Sequence, residues 1–234
     1  MIPQHESTVP LAPAPTENTF PIEEEVNNEP QTEPETVPEE PTTESNDNDL
    51  VRIQDYIPDI IVELRYATEN NFTGQQIYDF TDAYLRYGTV KKLILVQDEL
   101  RQKGLSLKVW DGFRPVSAQF KLWEVYPDAT YVANPNTGFS SHSRGNTIDL
   151  TLAYLDGTEL EMPTGFDDFS KKADRNYSDC NDTAAANAQL LENIMTKYEF
   201  KPYFNEWWHF SDTQSYDVEK TFEPNISMTH HLTD

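Results

Sequence analysis

Between Tyr84 and Gly104 the positions Val90, Leu93, Ile94, Gln97, Leu100 and Arg101 fall at 3.6-residue spacing, which predicts an amphipathic helix with Gly104 as its stop. LSLKVW then alternates through Leu105, Leu107 and Val109 and runs into DGFRP, the pattern of a buried strand ending in a turn. A second helix is expected from near Val116 through AQFKLWEVY to Pro127. A polar loop follows over 128–145, and then TIDLTLAYL alternates as a strand, with DGT as a hairpin turn into ELEM. After the long connection GFDDFSKKADRNYSDCND, a third helix runs from Thr183 to about Tyr198, with Leu190, Leu191, Ile194 and Met195 on one face. Leu50 to Val62 is irregular around Pro58 and suggests short extended pieces. The polar segment ELRYATENNFTG follows, and FKPYFNEWWHFSD near the end is aromatic and extended. Helices and strands mix without a repeating strand–helix rhythm, so the expected class is α+β, a small single domain.

Composition divides the chain. Residues 1–49 hold 13 of the 41 acids and 9 of the 16 prolines, with no basic residue, no glycine and one aromatic, Phe20. Such a segment cannot bury enough apolar surface to offset ~1–2 kcal/mol of backbone entropy per residue, so it is expected to be a disordered acidic tail. Residues 50–213 are expected to form the folded domain, and 214–234 a polar C-terminal extension. The net charge of −24 and pI near 4.4 give phosphate backbones and anionic lipid no attraction, which argues against nucleic-acid binding. No run approaches the ~18 apolar residues of a membrane span. The lone Cys180 rules out a disulfide framework or a multi-cysteine metal site. MIPQHEST lacks the features of an export signal, yet a Pro/Thr/Glu spacer suits a tether, so a cell-envelope location is expected, with the cytoplasm as the alternative.

Of the five histidines, His5, His230 and His231 fall in the polar ends and read as solvated tail residues. His142 lies in SSHSRG, just before the strand carrying Asp149, and His209 lies in EWWHF. Singly, either could be a hydrogen-bonded core residue. Together His142, Asp149 and His209 offer two imidazoles and a carboxylate, the N,N,O set suited to a catalytic zinc ion that keeps a fourth position for water. Glu206 stands three residues before His209 and could move protons beside such a water. On a flat strand residues three apart face opposite ways, so these two can share a site only if the backbone bends near Trp207. Gly145 supplies the turn that lets a loop ligand and a strand ligand converge. Arg114, behind the strand LSLKVW and stiffened by Pro115, could point at a carbonyl oxygen and stabilise its developing charge, or could form a salt bridge to Asp111. Trp110, Trp207 and Trp208 read as core or pocket wall.

SSHSRGNTID fits S-x-H-x-x-G-x-x-x-D and EWWH fits E-x-W-H, and in both the chain resembles the zinc D-Ala-D-Ala metallopeptidases. YATENNFTG and WDGFRP are similar to the D-alanyl-D-alanine dipeptidase branch of vancomycin-resistance type, and the resemblance runs from about Val51 to Asp212. It implies a central antiparallel sheet carrying one zinc per chain on His142, Asp149 and His209. It further implies Glu206 as general base and acid, Arg114 as transition-state stabiliser, and Ser140 and Asp167 as contacts to the termini of a small D,D-dipeptide. Thr147 departs from the usual Ala of the signature, Pro163 departs from the pattern before Asp167, and the acidic tail has no counterpart in compact members. Two other readings compete: a D,D-carboxypeptidase trimming peptidoglycan stem peptides, and a non-catalytic zinc-binding envelope protein, against which the presence of Glu206 and Arg114 speaks.

Overall fold

A computed structural model describes residues 45–224, so residues 1–44 of the tail expected over 1–49, together with His5, His230 and His231, lie outside the described residues. Among the described residues two sheets and four α-helices make up the fold, which is α+β. A two-stranded antiparallel ribbon pairs β1 (Leu50–Arg52) with β3 (Tyr84–Arg86). The main sheet has five strands: β2 (Ile61–Val62), β4 (Leu105–Asp111), β5 (Thr147–Tyr154), β6 (Phe200–Pro202) and β7 (His209–Asp212), in the order β2-β4-β5-β7-β6. It is antiparallel throughout except where β2 lies parallel to β4. The helices are α1 (Ile53–Tyr56), α2 (Tyr87–Arg101), α3 (Val116–Val125) and α4 (Asp182–Lys197).

Each element follows from its local pattern. α2 begins at Tyr87 rather than Tyr84, because Tyr84–Arg86 is drawn into the ribbon with β1. α4 starts one residue before Thr183: Asn181 accepts a hydrogen bond from the Ala184 amide at 2.9 Å and satisfies one of the orphan donors of the first turn. The DGT turn forms, with Leu160 N donating to Leu152 O, but ELEM makes an isolated bridge at Glu159 instead of a strand. Ile148, Leu150 and Leu152 alternate along β5 and are fully buried. They share one core with Leu93, Val96 and Leu100 of α2 and Leu191, Ile194 and Met195 of α4. The intervening residues Thr147, Asp149 and Thr151 face the other side of the sheet, as period 2 requires. Trp110, Trp207 and Trp208 are all within the core. At the described ends, Arg144 Nη1 donates to Tyr216 O at 2.7 Å and Glu219 N donates to Ser143 O at 2.8 Å, so residues 214–224 pack on the turn that carries His142.

Candidate metal centre

β4 would turn Asp111 toward the core in step with Leu107 and Val109, but a bulge at Trp110 shifts the register and sets Asp111 opposite Asp149. Asp149 is in turn opposite His209 on β7. The bulge therefore lines up Asp111, Asp149 and His209 in one row across three strands. His142 enters from a short 3₁₀ turn, Ser141–Arg144, whose first residue follows Ser140; the Ser140 hydroxyl accepts from the His142 amide at 3.3 Å. Gly145 closes that turn in the left-handed region at φ 74°, and a Cβ there would meet Leu50 Cδ2 at 2.5 Å and Arg86 Cγ at 3.3 Å, so both the backbone and the space favour glycine. The convergence expected of the loop ligand and the strand ligand is thus present.

His142, Asp149 and His209 each offer a donor atom, and these atoms lie within 4.8 Å of one another. His142 Nε2 is 3.4 Å from Asp149 Oδ2 and 3.4 Å from His209 Nδ1, and His209 Nδ1 is 2.9 Å from Asp149 Oδ1. Tetrahedral coordination at ~2.0–2.1 Å needs donors roughly 3.3 Å apart, close to the 3.4 Å between the two imidazole nitrogens and between His142 Nε2 and Asp149 Oδ2. His142 Nδ1 is 2.9 Å from the Gly112 carbonyl, which can only accept, so Nδ1 carries the proton and Nε2 keeps its lone pair for the shared centre. Asp149 Oδ1 is buried, with His209 Nδ1 at 2.9 Å and no further hydrogen-bond partner among the described residues. A buried carboxylate crowded against two imidazole nitrogens is an arrangement that a divalent cation would satisfy, and the donor set fits zinc.

Glu206 precedes β7 in a turn, with His209 N donating to Glu206 O at 3.3 Å, and this is the bend that a shared site requires. Its Oε2 comes within 3.4 Å of His209 Nδ1. Burial pushes the Glu206 carboxyl up to about 7; His209 opposes the rise, while Asp149 and Asp167 add to it. Burial also works against a charged His142, but the Asp149 and Asp111 carboxylates outweigh it and raise the imidazole. For Asp149 burial is outweighed by the two imidazoles, which hold the carboxyl well below its usual range.

Arg114 both forms the Asp111 salt bridge and lines the cavity. Its Nε and Nη2 donate to Asp111 Oδ2 at 3.1 and 2.6 Å, and Nη1 donates to Gln119 Oε1 at 2.9 Å. Asp111 Oδ1 accepts from the Tyr78 hydroxyl at 2.7 Å and from the Gly112 amide at 2.9 Å. Asp167 adopts a left-handed backbone, φ 56°, and its Oδ2 accepts from the Tyr66 hydroxyl at 2.8 Å. Burial raises its carboxyl to about 8, with the Tyr66 hydrogen bond opposing. A cavity of about 460 Å³ brings together all seven residues singled out from the sequence: Arg114, Ser140, His142, Asp149, Asp167, Glu206 and His209. Sequence reasoning missed Gln119, which lies five residues beyond Arg114 on α3 and whose Nε2 donates to Ala133 O at 2.8 Å, and it missed Lys201 in the cavity wall. Neither belongs to a motif; only the tertiary contacts identify them.

The model of the D-ala-D-ala dipeptidase family matches residues 46–227. The chain belongs to that family. The D-alanyl-D-alanine dipeptidase of Escherichia coli (strain K12) is 36% identical over 171 residues, covering 73% of this family member and 88% of the relative. That of Enterococcus faecalis (strain ATCC 700802 / V583) is 33% identical, covering 63% and 83%. Among solved structures, the LdcB LD-carboxypeptidase aligns over 73% of this dipeptidase-family chain and 70% of that one, at 18% identity and a TM-score of 0.41, a distance at which side-chain roles do not transfer.

Proposed function

We propose that the protein is a zinc-dependent dipeptidase that hydrolyses D-alanyl-D-alanine to two D-alanines, with one zinc per chain. The observation that carries this reading is the convergence of His142, Asp149 and His209, with Glu206 beside them, in the cavity of a chain whose relatives bear that name. A zinc ion on those three ligands would polarise the scissile carbonyl and bring the pKa of a water in its open position down toward about 7. Glu206, with its carboxyl raised to about 7, is suited to take a proton near neutral pH and return it to the departing amine. Arg114 is held rigid by Asp111 and Gln119, so its remaining N–H donors can meet the carbonyl oxygen as charge develops without reorganising. Asp167 is the cavity carboxyl available to the substrate ammonium, and Ser140 lines the same cavity as a further polar contact to the dipeptide. Glu206→Gln is expected to lose at least ~10²-fold in D-alanine release while still binding zinc at one equivalent. Undiminished turnover in that variant would reject the assigned base.

The cavity also favours a second reading. Phe139 and Tyr203 in its wall are each 42% exposed and leave apolar surface for a chain longer than two residues, as in a D,D-carboxypeptidase acting on stem peptides. Turnover on the dipeptide set against turnover on a stem pentapeptide separates the two.

A further inference from the structure

Two cations line the cavity among the described residues, Arg114 and Lys201. Arg114 is committed to Asp111 and Gln119. Lys91, Lys92, Lys108 and Lys197 pair with carboxylates, whereas Lys103, Lys121, Lys171, Lys172 and Lys220 do not line the cavity. Lys201 has no ion pair within 4.0 Å to any acid of the described residues, although it stands in the wall of a cavity that Asp149, Asp167 and Glu206 also line.

Its position follows from the sheet register. Lys201 on β6 is opposite Ser211 on β7, and Ser211 is opposite Thr147 on β5, the two hydroxyls meeting at 2.8 Å. Thr147 and Ser211 are each two residues from Asp149 and His209, so the Lys201 row lies on the ligand-bearing face, one pleat from the ligand row. With strands ~4.8 Å apart and ~3.4 Å per residue, the Lys201 Cα is about 8 Å from that of His209, within reach for a four-carbon stem. On the opposite flank, beyond β5, the Asp167 carboxyl is held by Tyr66, which follows β2. A carboxyl group, three metal-ligating side chains and an unpaired cation thus succeed one another across the sheet. A dipeptide zwitterion, about 7 Å long when extended, presents its ammonium, scissile bond and carboxylate in the same order.

We propose that Lys201 is the specificity residue for the free α-carboxylate of the residue being released, so that the enzyme requires an uncapped C-terminus. This rests on the peptidase reading above, and it holds whether the chain on the amino side is one residue or several. Recognition of a carboxylate by a lysine ammonium is a charge-assisted hydrogen bond, worth about 10- to 100-fold in discrimination.

The test compares the zinc-loaded enzyme on D-Ala-D-Ala and on its C-terminal amide. Wild type is expected to favour the free acid by about 10- to 100-fold in kcat/KM. Lys201→Met should bring that ratio to within about threefold, mainly through KM for the acid, and Lys201→Arg should restore most of it. A Lys201→Met enzyme that keeps the wild-type ratio overturns the proposal. Calorimetric titration of acid and amide into zinc-loaded Glu206→Gln, with and without Lys201→Met, reads the same preference without turnover. If wild type cleaves neither compound, the peptidase reading fails; the calorimetric comparison then decides Lys201 alone, and an unchanged acid-to-amide affinity ratio rejects it.

Discussion

Asp167 combines a left-handed backbone, a partly buried carboxyl and a tyrosine partner, a costly arrangement to hold in a cavity wall. In the unfolded chain its carboxyl titrates near ~3.9, whereas in the fold burial keeps the proton on up to about 8. Between those values the folded state binds more protons than the unfolded one, so this residue makes stability fall as pH rises through the window. Asp167→Asn removes the titration and retains an oxygen to accept from Tyr66. Urea midpoints of the metal-free variant should therefore decline less than those of metal-free wild type from pH 5 to pH 8, the variant being the more stable at pH 8. Parallel profiles would show that the burial cost is not borne by this carboxyl. The same substitution weakens binding of a peptide ammonium, the usual exchange between stability and function at a site.

At the scale of elements, the 3₁₀ turn carrying His142 depends on Gly145. Gly145→Ala forces a Cβ against Leu50 Cδ2 and Arg86 Cγ, at 2.5 and 3.3 Å, on top of the φ penalty. A loss of about 1–3 kcal/mol is expected, with weaker zinc binding because the turn must shift. Gly157→Ala is the control: its φ of 88° carries the backbone penalty, but nothing lies within 4 Å of the added Cβ, so zinc titration should be unchanged. Equal effects of the two substitutions on zinc binding would sever the turn from the site. Much of this architecture was legible in the chain. α2, α4, β4 and β5 are long enough for their periods to show, and two ordered motifs bring His142, Asp149, Glu206 and His209 into view. The parallel β2 was not legible, because two residues carry no period, and neither was the bulge at Trp110, which depends on how β4 meets β5. Gln119 stayed hidden because a glutamine on a helix reads as surface until Arg114 is folded against it.

Across the whole molecule, the proposed metal ties together parts of the chain that sequence separates widely: a turn at His142, a central strand at Asp149 and the last strand at His209. None of these contacts survives in the unfolded chain as a preformed site, so free energy of zinc binding becomes free energy of folding. At a free zinc concentration 100-fold above the dissociation constant, the linkage amounts to ~2.7 kcal/mol. For a domain of this size that corresponds to a rise of roughly 5–10 °C in melting temperature. Added zinc should raise the melting temperature of metal-stripped wild type by this amount, and a chelator should reverse it. Glu206→Gln should show the full rise, since it removes no ligand, whereas His209→Ala should show little. A His209→Ala protein that zinc stabilises as much as wild type would mean that the ion binds elsewhere, and the hydrolytic centre would have to be sought away from β5 and β7.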